Sequence, residues 1–405
     1  MVFISGTGKN AARALKTLAK AAAKCYNKNS GFIGCGRSLR FLAPEEILWA
    51  RKKYTTDGNA MKIAVDCRYL GRSGIGRVCE GITENLTFDK HEYLLIGDAG
   101  RLEKYAGRAK IADNRDDPYS IAGIRRINRE ANGCDAFFTP NFLIPFSVKV
   151  PAFSVMHDLI FLDMKETTRG AADRAVKKFL LKRCMKKSRA VSCVSRFTLS
   201  RCEHYYPKYA GKCFLNYNGV AGVTNADVSG VKKQKGALLF VGNVKPHKGL
   251  KTLISAFSTL PKGEFTLKIV GEKDHFLTGA DTSELLADGV TFTGRLTDKE
   301  VYEEIARAEF LIQPSVYEGF GSPPFEALYF GTKPIVSDIP VFKEVYGGFD
   351  VTFFKTGDAF DLKEKILSAD PVVHTKREEI FEKFDYKKAA ERIERKIEEI
   401  CREEK

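Results

Sequence analysis

The stretch 310–331, FLIQPSVYEGFGSPPFEALYFG, decides the fold. It begins with an apolar run at 310–312, which is typical of a buried strand. A glycine loop follows at 319–321, and Ser322 and Pro323 are residue types that favour the start of a helix. The stretch ends on a glycine, which is suited to close that helix. A strand, a glycine loop and a helix in this order predict one unit of a parallel α/β sheet.

The same alternation continues from Met61 to the end of the chain. Short apolar runs predict a first series of strands at 62–69, 93–98, 135–140, 152–157, 190–195 and 213–217. They predict a second series at 237–243, 265–272, 290–294, 310–314, 334–338 and 351–354. Helix-length segments lie between the strands, and one begins at a capping box, Thr297 with Glu300. The expected fold is α/β, with two Rossmann-like domains whose parallel sheets face a central cleft.

Four segments follow from this alternation. They are a basic N-terminal extension at 1–60, an N-terminal domain at 61–232, a C-terminal domain at 236–378 and an amphipathic helix within 379–405. The polar stretch 219–236 separates the two series and is the predicted linker. Two domains agree with a length of 405 residues, which exceeds the usual size of one hydrophobic core.

The positive charge is concentrated at the N-terminus. The chain has a net charge of +15, and residues 1–60 hold 11 Lys and Arg against 3 Asp and Glu. Five of these cations share one stripe of a predicted helix: Lys9, Arg13, Lys16, Lys20 and Lys24. The alternatives for this extension are a solvated leader, a helix on anionic lipid, and a translated stretch upstream of the true start. Nucleic acid is not an expected partner, because the basic residues are not interleaved with stacking aromatic residues.

Cysteine spacing and hydropathy point to a reduced, cytoplasmic protein. The ten cysteines include no CxxC pair and no cysteine–histidine cluster at zinc spacing, so we expect packed thiols and no metal. No segment approaches the roughly 18 to 20 apolar residues of a membrane span, and the N-terminus lacks the apolar core of a signal peptide.

Two carboxylates flank the glycine loop, and their positions suggest a bound nucleotide sugar. A helix N-terminus behind glycines can receive a diphosphate. Glu326 lies in the first helical turn, where it would repel a phosphate, so it is better suited to accept hydrogen bonds from a ribose diol. Glu318 would then face the other end of the ligand. The alternative is that Glu326 only stabilises the helix dipole and that Glu318 is a solvated loop acid.

Three further motifs lie at strand ends. In the stretch 240–250, FVGNVKPHKGL, Lys248 stands where its ammonium can neutralise phosphate charge. In VMHD, His157 and Asp158 follow a strand and can bond a sugar hydroxyl. In the stretch 71–77, GRSGIGR, Gly74 and Gly76 permit close approach of a ligand to a predicted loop. Each motif has an alternative interpretation: Lys248 as a lysine exposed to water at a helix start, His157 as a structural histidine, and Gly74 and Gly76 as ordinary turn glycines.

Together these motifs resemble the donor site of the retaining glycosyltransferases of family 4, the group 1 type, which have the GT-B fold. The resemblance runs from Met61 to the C-terminal helix. It implies catalytic roles for His157, Glu318 and Lys248, with Asp158 in support. It also implies a set of donor-binding residues, namely Gly74, Gly76, Asn243, Lys248, Gly319, Phe320, Gly321, Ser322 and Glu326. Many members have arginine where this chain has Asn243, which leaves His247 or Lys245 as a substitute cation.

The implied reaction is the transfer of a mannose- or other hexose-type sugar from a nucleoside-diphosphate sugar. The acceptor would be a glycan or a lipid-linked glycan in cell-surface polysaccharide or lipopolysaccharide biosynthesis. The chain has no Asp-x-Asp motif, so we expect a metal-independent enzyme without a cofactor. The basic charge leaves open a peripheral contact with the anionic inner face of the membrane.

Two other functions remain open on the sequence. One is a catalytically silent homologue that binds sugar nucleotides or acts as a scaffold, which the departure at Asn243 allows. The other is a nicotinamide-dependent oxidoreductase with Rossmann domains. That function requires GxGxxG with an acid about 20 residues later, and the predicted strands lack this fingerprint.

Overall fold

The computed structural model describes residues 60–118, 120–220, 222–271 and 288–404. It also describes an antiparallel pair of two-residue strands, Tyr26–Asn27 with Gly31–Phe32. The predicted basic stripe of the N-terminal extension lies outside the described residues. Among the helices of the described part, none combines the length and the apolar character needed to cross a membrane.

The first sheet is parallel throughout. In the described residues its strands are β1 (Lys62–Asp66), β2 (Glu92–Gly97), β3 (Lys110–Asp113), β4 (Ala136–Thr139), β5 (Ala152–Met156), β6 (Ser188–Cys193) and β7 (Cys213–Leu215). Their order is β3-β2-β1-β4-β5-β6-β7. The accompanying helices are α1 (Ser73–Glu84), α2 (Ala99–Leu102), α3 (Ile121–Ala131), α4 (Ile160–Asp163), α5 (Ala171–Lys187) and α6 (Arg196–Tyr205). Helices on both faces bury the central strands completely, and this burial explains their continuous apolar sequences.

The second sheet repeats this topology. Its described strands are β8 (Ala237–Val241), β9 (Thr266–Val270), β10 (Val290–Gly294), β11 (Phe310–Gln313), β12 (Lys333–Ser337) and β13 (Thr352–Phe354), in the order β10-β9-β8-β11-β12-β13. Its helices are α7 (Leu250–Phe257), α8 (Asp298–Arg307), α9 (Pro323–Tyr329), α10 (Pro340–Tyr346), α11 (Ala359–Ser368), α12 (Arg377–Lys383) and α13 (Tyr386–Glu403). In each sheet the strand order reverses beside the first strand, and ligands of open α/β sheets bind at that point.

The predicted fold class is confirmed, with one strand missed. Both predicted series form parallel sheets, and the capping box at Thr297 is present. The missed strand is β3, Lys110–Asp113, which lies at an edge of the first sheet and has no fully buried residue. Without a buried face it has no apolar alternation to detect. The domain boundaries themselves stay predictions.

An aromatic cluster fixes the glycine loop of the second domain. Phe320 packs on Phe325 with ring centroids 5.9 Å apart, and Phe325 packs on Tyr346 and on Phe384 at 4.5 Å each. All four residues are buried. The cluster joins the loop at 319–321 to helices α9 and α10 and to the chain before α13, so the loop has a defined position before any ligand binds.

The C-terminal helix α13 returns to the first domain. Its Glu394 accepts a hydrogen bond from the backbone amide of Thr87 at 2.7 Å, and its Glu398 lies 3.1 Å from His91. Asn216 donates to the carbonyl oxygen of Ala389 at 3.1 Å. The helix therefore follows the second sheet in sequence but packs on the first domain, and it links the two halves of the chain.

Candidate functional site

Lys248 and Glu318 form an ion pair where β8 and β11 end. The Lys248 ammonium lies 2.6 Å from Oε1 of Glu318. Lys248 closes a short 3-10 turn, Pro246–Lys248, rather than standing inside α7. Gly249 follows with a φ of 69°, and a Cβ there would overlap the carbonyl oxygen of Pro314. Glycine is therefore required for the two loops to approach each other, and this approach brings the two charges together.

Glu318 is held as a buried carboxylate. Its Oε1 also accepts a hydrogen bond from the hydroxyl of Ser315 at 2.7 Å. Burial opposes ionisation, but the Lys248 ammonium and the hydrogen bonds outweigh it, so the pKa of Glu318 lies below its usual value. The pair is thus charged at neutral pH, and the partly exposed ammonium can interact with an anion that enters the site.

His157 follows the last residue of β5 and faces this region as a neutral ring. Its Nε2 lies 2.7 Å from the carbonyl oxygen of Pro140. A carbonyl only accepts, so Nε2 carries the proton and Nδ1 is an acceptor in the neutral ring. Burial lowers the pKa of His157, which favours this neutral form. The histidine can therefore accept a hydrogen bond from a ligand hydroxyl at Nδ1.

The first domain meets the second directly at His157. A Cβ on Gly319 would overlap the carbonyl oxygen of His157 and lie 3.2 Å from the Cβ of Asp158. Thr198 donates from its hydroxyl to the same carbonyl oxygen at 3.1 Å. Burial raises the pKa of Asp158, and the Glu318 charge acts in the same direction. Asp158 and Glu318 therefore belong to one electrostatic site assembled from both domains.

Glu326 lies on α9, and one of its carboxylate oxygens has no hydrogen-bond partner among the described residues. Its side chain is buried, and Oε1 pairs with the guanidinium of Arg77. In the described part of the chain, Oε2 has no hydrogen-bond partner although it is buried. Burial raises the pKa of Glu326, and Arg77 partly offsets this rise. A buried acceptor without a partner is costly, so a donor from a ligand hydroxyl would be favoured at Oε2.

Arg77 is the site residue that sequence reasoning missed. It lies on α1 of the first domain, pairs with Glu326, and bonds Asp298 of the second domain at 2.9 Å. Its guanidinium also lies 5.9 Å from the ring centroid of Tyr302. Arg77 is the last residue of the stretch GRSGIGR, of which only the glycines were predicted to belong to the site. The structure thus places a cation of the first domain next to Glu326, where it is paired with two carboxylates.

The two glycines of that stretch are not in a loop. Gly74 and Gly76 lie in the first turn of α1, which corrects the prediction of a strand-to-helix loop around them. A Cβ at Gly76 would lie 2.5 Å from the carbonyl oxygen of Tyr69, so this glycine permits close packing of the helix on the preceding turn. Gly74 is exposed, with open space around the position of a Cβ.

The amides that face the site belong to the glycine loop and not to α9. Pro323 and Pro324 have no N–H, and the amide of Phe325 bonds the carbonyl oxygen of Ser322 at 3.0 Å. Ser322 occupies the N-cap position, as the sequence predicts, but its side chain makes no capping hydrogen bond. In the described residues, the amides of 319–322 donate to no protein acceptor. These four amides remain available to oxygens of a ligand.

The remaining predicted positions contribute in different ways. Gly321 has a φ of 78°, which favours glycine, and its carbonyl oxygen accepts from the Tyr346 hydroxyl. Phe320 contributes its amide, while its ring is buried. Asn243 is exposed. His247 has a pKa lowered to about 4 by burial and by Lys248, so it is neutral and does not replace a missing cation.

Three cysteines converge in the first domain. The sulfur atoms of Cys193, Cys202 and Cys213 lie within 4.8 Å of one another, and Cys193 and Cys202 are buried. They come from β6, α6 and β7, and so from positions too far apart in sequence to form a recognisable motif. These three cysteines are free thiols.

Comparison with known proteins identifies the family of the second domain. Residues 224–370 match the family described as "Glycosyl transferases group 1". The chain is 31% identical over 170 residues to the O-antigen chain mannosyltransferase RfbU of Salmonella typhimurium. The aligned region covers 42% of this chain and 47% of RfbU. It is 31% identical over 124 residues to the serotype-specific mannosyltransferase WbdA of Escherichia coli, covering 29% of this chain and 15% of WbdA. The chain thus spans less than half of the length of either relative.

A solved structure establishes the fold over both domains. HepE of Anabaena in complex with UDP-glucose superposes with a TM-score of 0.65 at 16% identity. The match covers 84% of this chain and 100% of HepE. The twin parallel sheets are therefore a GT-B fold.

Proposed function

Since residues 224–370 are a group 1 glycosyl transferase domain within a GT-B chain, we propose that this protein is a retaining, metal-independent glycosyltransferase. It would transfer a mannose- or other hexose-type sugar from a nucleoside-diphosphate sugar to a glycan or lipid-linked acceptor. The observation that carries the proposal is the convergence of Lys248, Glu318, His157 and the open amides of 319–322 between the two domains.

The donor would lie along the second domain, with its ribose at Glu326. The unpartnered Oε2 of this carboxylate supplies the acceptor that a ribose hydroxyl needs. Lys248 would neutralise the diphosphate, together with the amides of the glycine loop, because these groups are fixed in place before the reaction begins. Arg77 pairs with Glu326 and Asp298, so it would hold Glu326 in place rather than meet the diphosphate.

The transferred sugar would lie between Glu318 and His157. Nδ1 of the neutral His157 ring can accept from a sugar hydroxyl, while Glu318 is already a carboxylate. As the bond between the anomeric carbon and the phosphate oxygen breaks, negative charge grows on the diphosphate and is stabilised by Lys248. A new bond forms from the acceptor oxygen to the anomeric carbon, and the acceptor proton leaves with the diphosphate. The same fixed side chains would then bind the donor and stabilise the reaction.

The relatives support the choice of substrate class. RfbU and WbdA are named as mannosyltransferases, and RfbU acts on an O-antigen chain according to its name. A role in cell-surface polysaccharide biosynthesis at the cytoplasmic face of a membrane follows by similarity, with a lipid-linked glycan as acceptor and a peripheral contact with anionic lipid.

Thermal unfolding with ligands tests the donor. The purified chain is heated with UDP, GDP, ADP, dTDP or NAD in turn. A ligand that binds and is present at about 100 times its dissociation constant adds about 2.7 kcal/mol to the free energy of unfolding. We expect stabilisation by a nucleoside diphosphate, which also identifies the base. The matching nucleotide sugars are then tested for transfer, and the anomeric configuration of the product is read by NMR. Stabilisation by NAD alone would overturn the proposal.

A further inference from the structure

A cationic surface with exposed aromatic rings lies on the first domain. We define the α5 surface as Phe146, Val176, Lys178, Phe179 and Lys182. Phe146 is 50% exposed, Val176 57% and Phe179 56%. The two phenylalanine rings stack with centroids 6.4 Å apart and an angle of 19° between planes. Large apolar side chains that group on a surface mark a binding site more often than single exposed ones do.

The aromatic rings are held outward by the protein itself. The Arg183 guanidinium lies 4.5 Å from the Phe146 ring centroid. It also donates hydrogen bonds to the carbonyl oxygens of Ile144 at 3.2 Å and Pro145 at 2.9 Å. Arg183 therefore fixes the turn that carries Phe146 and leaves the outer side of the ring exposed. The exposure results from fixed packing and not from a loosely attached loop.

Positive charge surrounds these rings. Within Ala171–Lys187, helix α5 carries seven cations and one acid: Arg174, Lys177, Lys178, Lys182, Arg183, Lys186 and Lys187, with Asp173. Lys178, Lys182, Lys186 and Lys187 are exposed. A protein partner that buried this helix would need acidic residues placed opposite these cations. An anionic lipid surface provides negative charge over the whole contact.

We propose that the α5 surface docks on an anionic lipid bilayer, with Phe146 and Phe179 inserted between headgroups and the lysines of α5 above the lipid phosphates. Aromatic and apolar residues next to Lys and Arg are the composition of interfacial membrane contacts. This proposal rests on the proposed function, because an enzyme that uses a lipid-linked acceptor has to reach that acceptor at a membrane. The surface itself belongs to the folded first domain.

The docked surface would also lie near the candidate site. Phe146 lies six residues after Pro140, whose carbonyl oxygen bonds His157. Six residues span at most about 21 Å, so the site lies within the reach of a headgroup and a short glycan. The membrane contact and the acceptor side of the cleft are thus held by the same segment of chain.

Vesicle co-sedimentation of the full chain tests the proposal. The vesicles are phosphatidylcholine alone or phosphatidylcholine with phosphatidylglycerol, and the N-terminal extension is kept in every protein. We expect binding to the anionic vesicles only. The double variant Lys178→Gln/Lys182→Gln should lose about fivefold in partitioning for each cation removed. Phe146→Ser/Phe179→Ser should lose at least as much, because inserted apolar area is removed.

A matched change on the second domain provides the control. Phe360 is 71% exposed and Lys355 is also exposed, so Phe360→Ser/Lys355→Gln alters the same chemistry elsewhere and should leave vesicle binding unchanged. Equal binding of all variants, equal binding to neutral vesicles, or self-association of the chain through this surface would each overturn the proposal. Stabilisation by a nucleoside diphosphate is measured on the same proteins. Retained nucleotide binding without vesicle binding refutes the α5 surface alone, while absence of nucleotide binding refutes the proposed function.

Discussion

Arg77 of the first domain and Glu326 of the second form an ion pair that joins the two domains across the candidate donor site. The two residues are 249 positions apart in sequence. Arg77 also bonds Asp298, so it connects α1 with both α8 and α9. We interpret Arg77 as a positioning residue, since it occupies one oxygen of Glu326 and leaves the other for the donor.

Replacing Arg77 should shift the pH dependence of donor binding. Burial raises the pKa of Glu326 and Arg77 offsets part of that rise, so Arg77→Ala should raise this pKa further. Glu326 has to be ionised to accept hydrogen bonds from both ribose hydroxyls. As the pH is lowered, the donor affinity of the variant should therefore begin to fall at a higher pH than that of wild type. KM for the donor measured against pH checks this. Arg77→Lys should restore part of the affinity, and an acid limb that does not move in Arg77→Ala would contradict the positioning role.

Glu326→Gln should act mainly on donor binding. A hydrogen bond to a charged group contributes about 1.5 to 3 kcal/mol, which corresponds to roughly a 10- to 100-fold rise in KM. We expect kcat to change much less, because the ribose does not react. Steady-state kinetics with the donor identified by thermal unfolding measure both constants. The exposed Glu364 lies on α11, and Glu364→Gln is the control that should behave as wild type. A drop in kcat without a change in KM would place Glu326 elsewhere.

Lys248→Ala should act mainly on the rate of transfer. Removing one fixed electrostatic group that stabilises developing charge costs about 100- to 1,000-fold in kcat. It also leaves the Glu318 carboxylate buried without its cation. Lys251 is exposed on the neighbouring turn of α7, so Lys251→Ala tests whether loss of any nearby lysine has this effect. Single-turnover kinetics with saturating donor give the rate, and an unchanged rate would exclude Lys248 from the reaction.

Gly319→Ala should push the two domains apart. The added methyl group would overlap the backbone carbonyl oxygen of His157, which cannot move aside as a flexible side chain could. Overpacking of this kind typically costs about 1 to 3 kcal/mol, so a lower unfolding temperature and loss of transfer are expected together. Gly348 has open space around the position of a Cβ, and Gly348→Ala is the matched control. Wild-type stability and activity in Gly319→Ala would mean that the domains do not meet here in solution.

Glu318 should stabilise the protein above acid pH. Its pKa is lower in the folded protein than the ordinary value of 4.5, so its contribution is present above 4.5 and is lost as pH falls through the folded pKa. The free energy of unfolding of wild type and of Glu318→Gln, measured by denaturant titration, should differ at pH 7 and converge below pH 4.5. A difference that grows on acidification would show the opposite sign and would mean that burial dominates over Lys248.

Local sequence determined much of this protein. The apolar runs, the glycines at turns and the capping box at Thr297 depend on neighbours a few residues away, and they predicted both sheets. Lys248 was predicted as a site residue because it follows a strand near a helix start, and Glu318 because it lies beside the glycine loop. Their ion pair was not predicted, and it forms because Gly249 lets the two loops approach.

Tertiary structure decided what links the domains. The pairing of Arg77 with Glu326 and the return of α13 to the first domain both join segments that are distant in sequence. The edge strand β3 forms through backbone pairing with β2 and not through an apolar pattern of its own. The periodicity of apolar residues in the sequence indicates which face of each helix or strand is buried. The contacts between domains depend on how helices and strands pack against each other, and only the tertiary structure determines this packing.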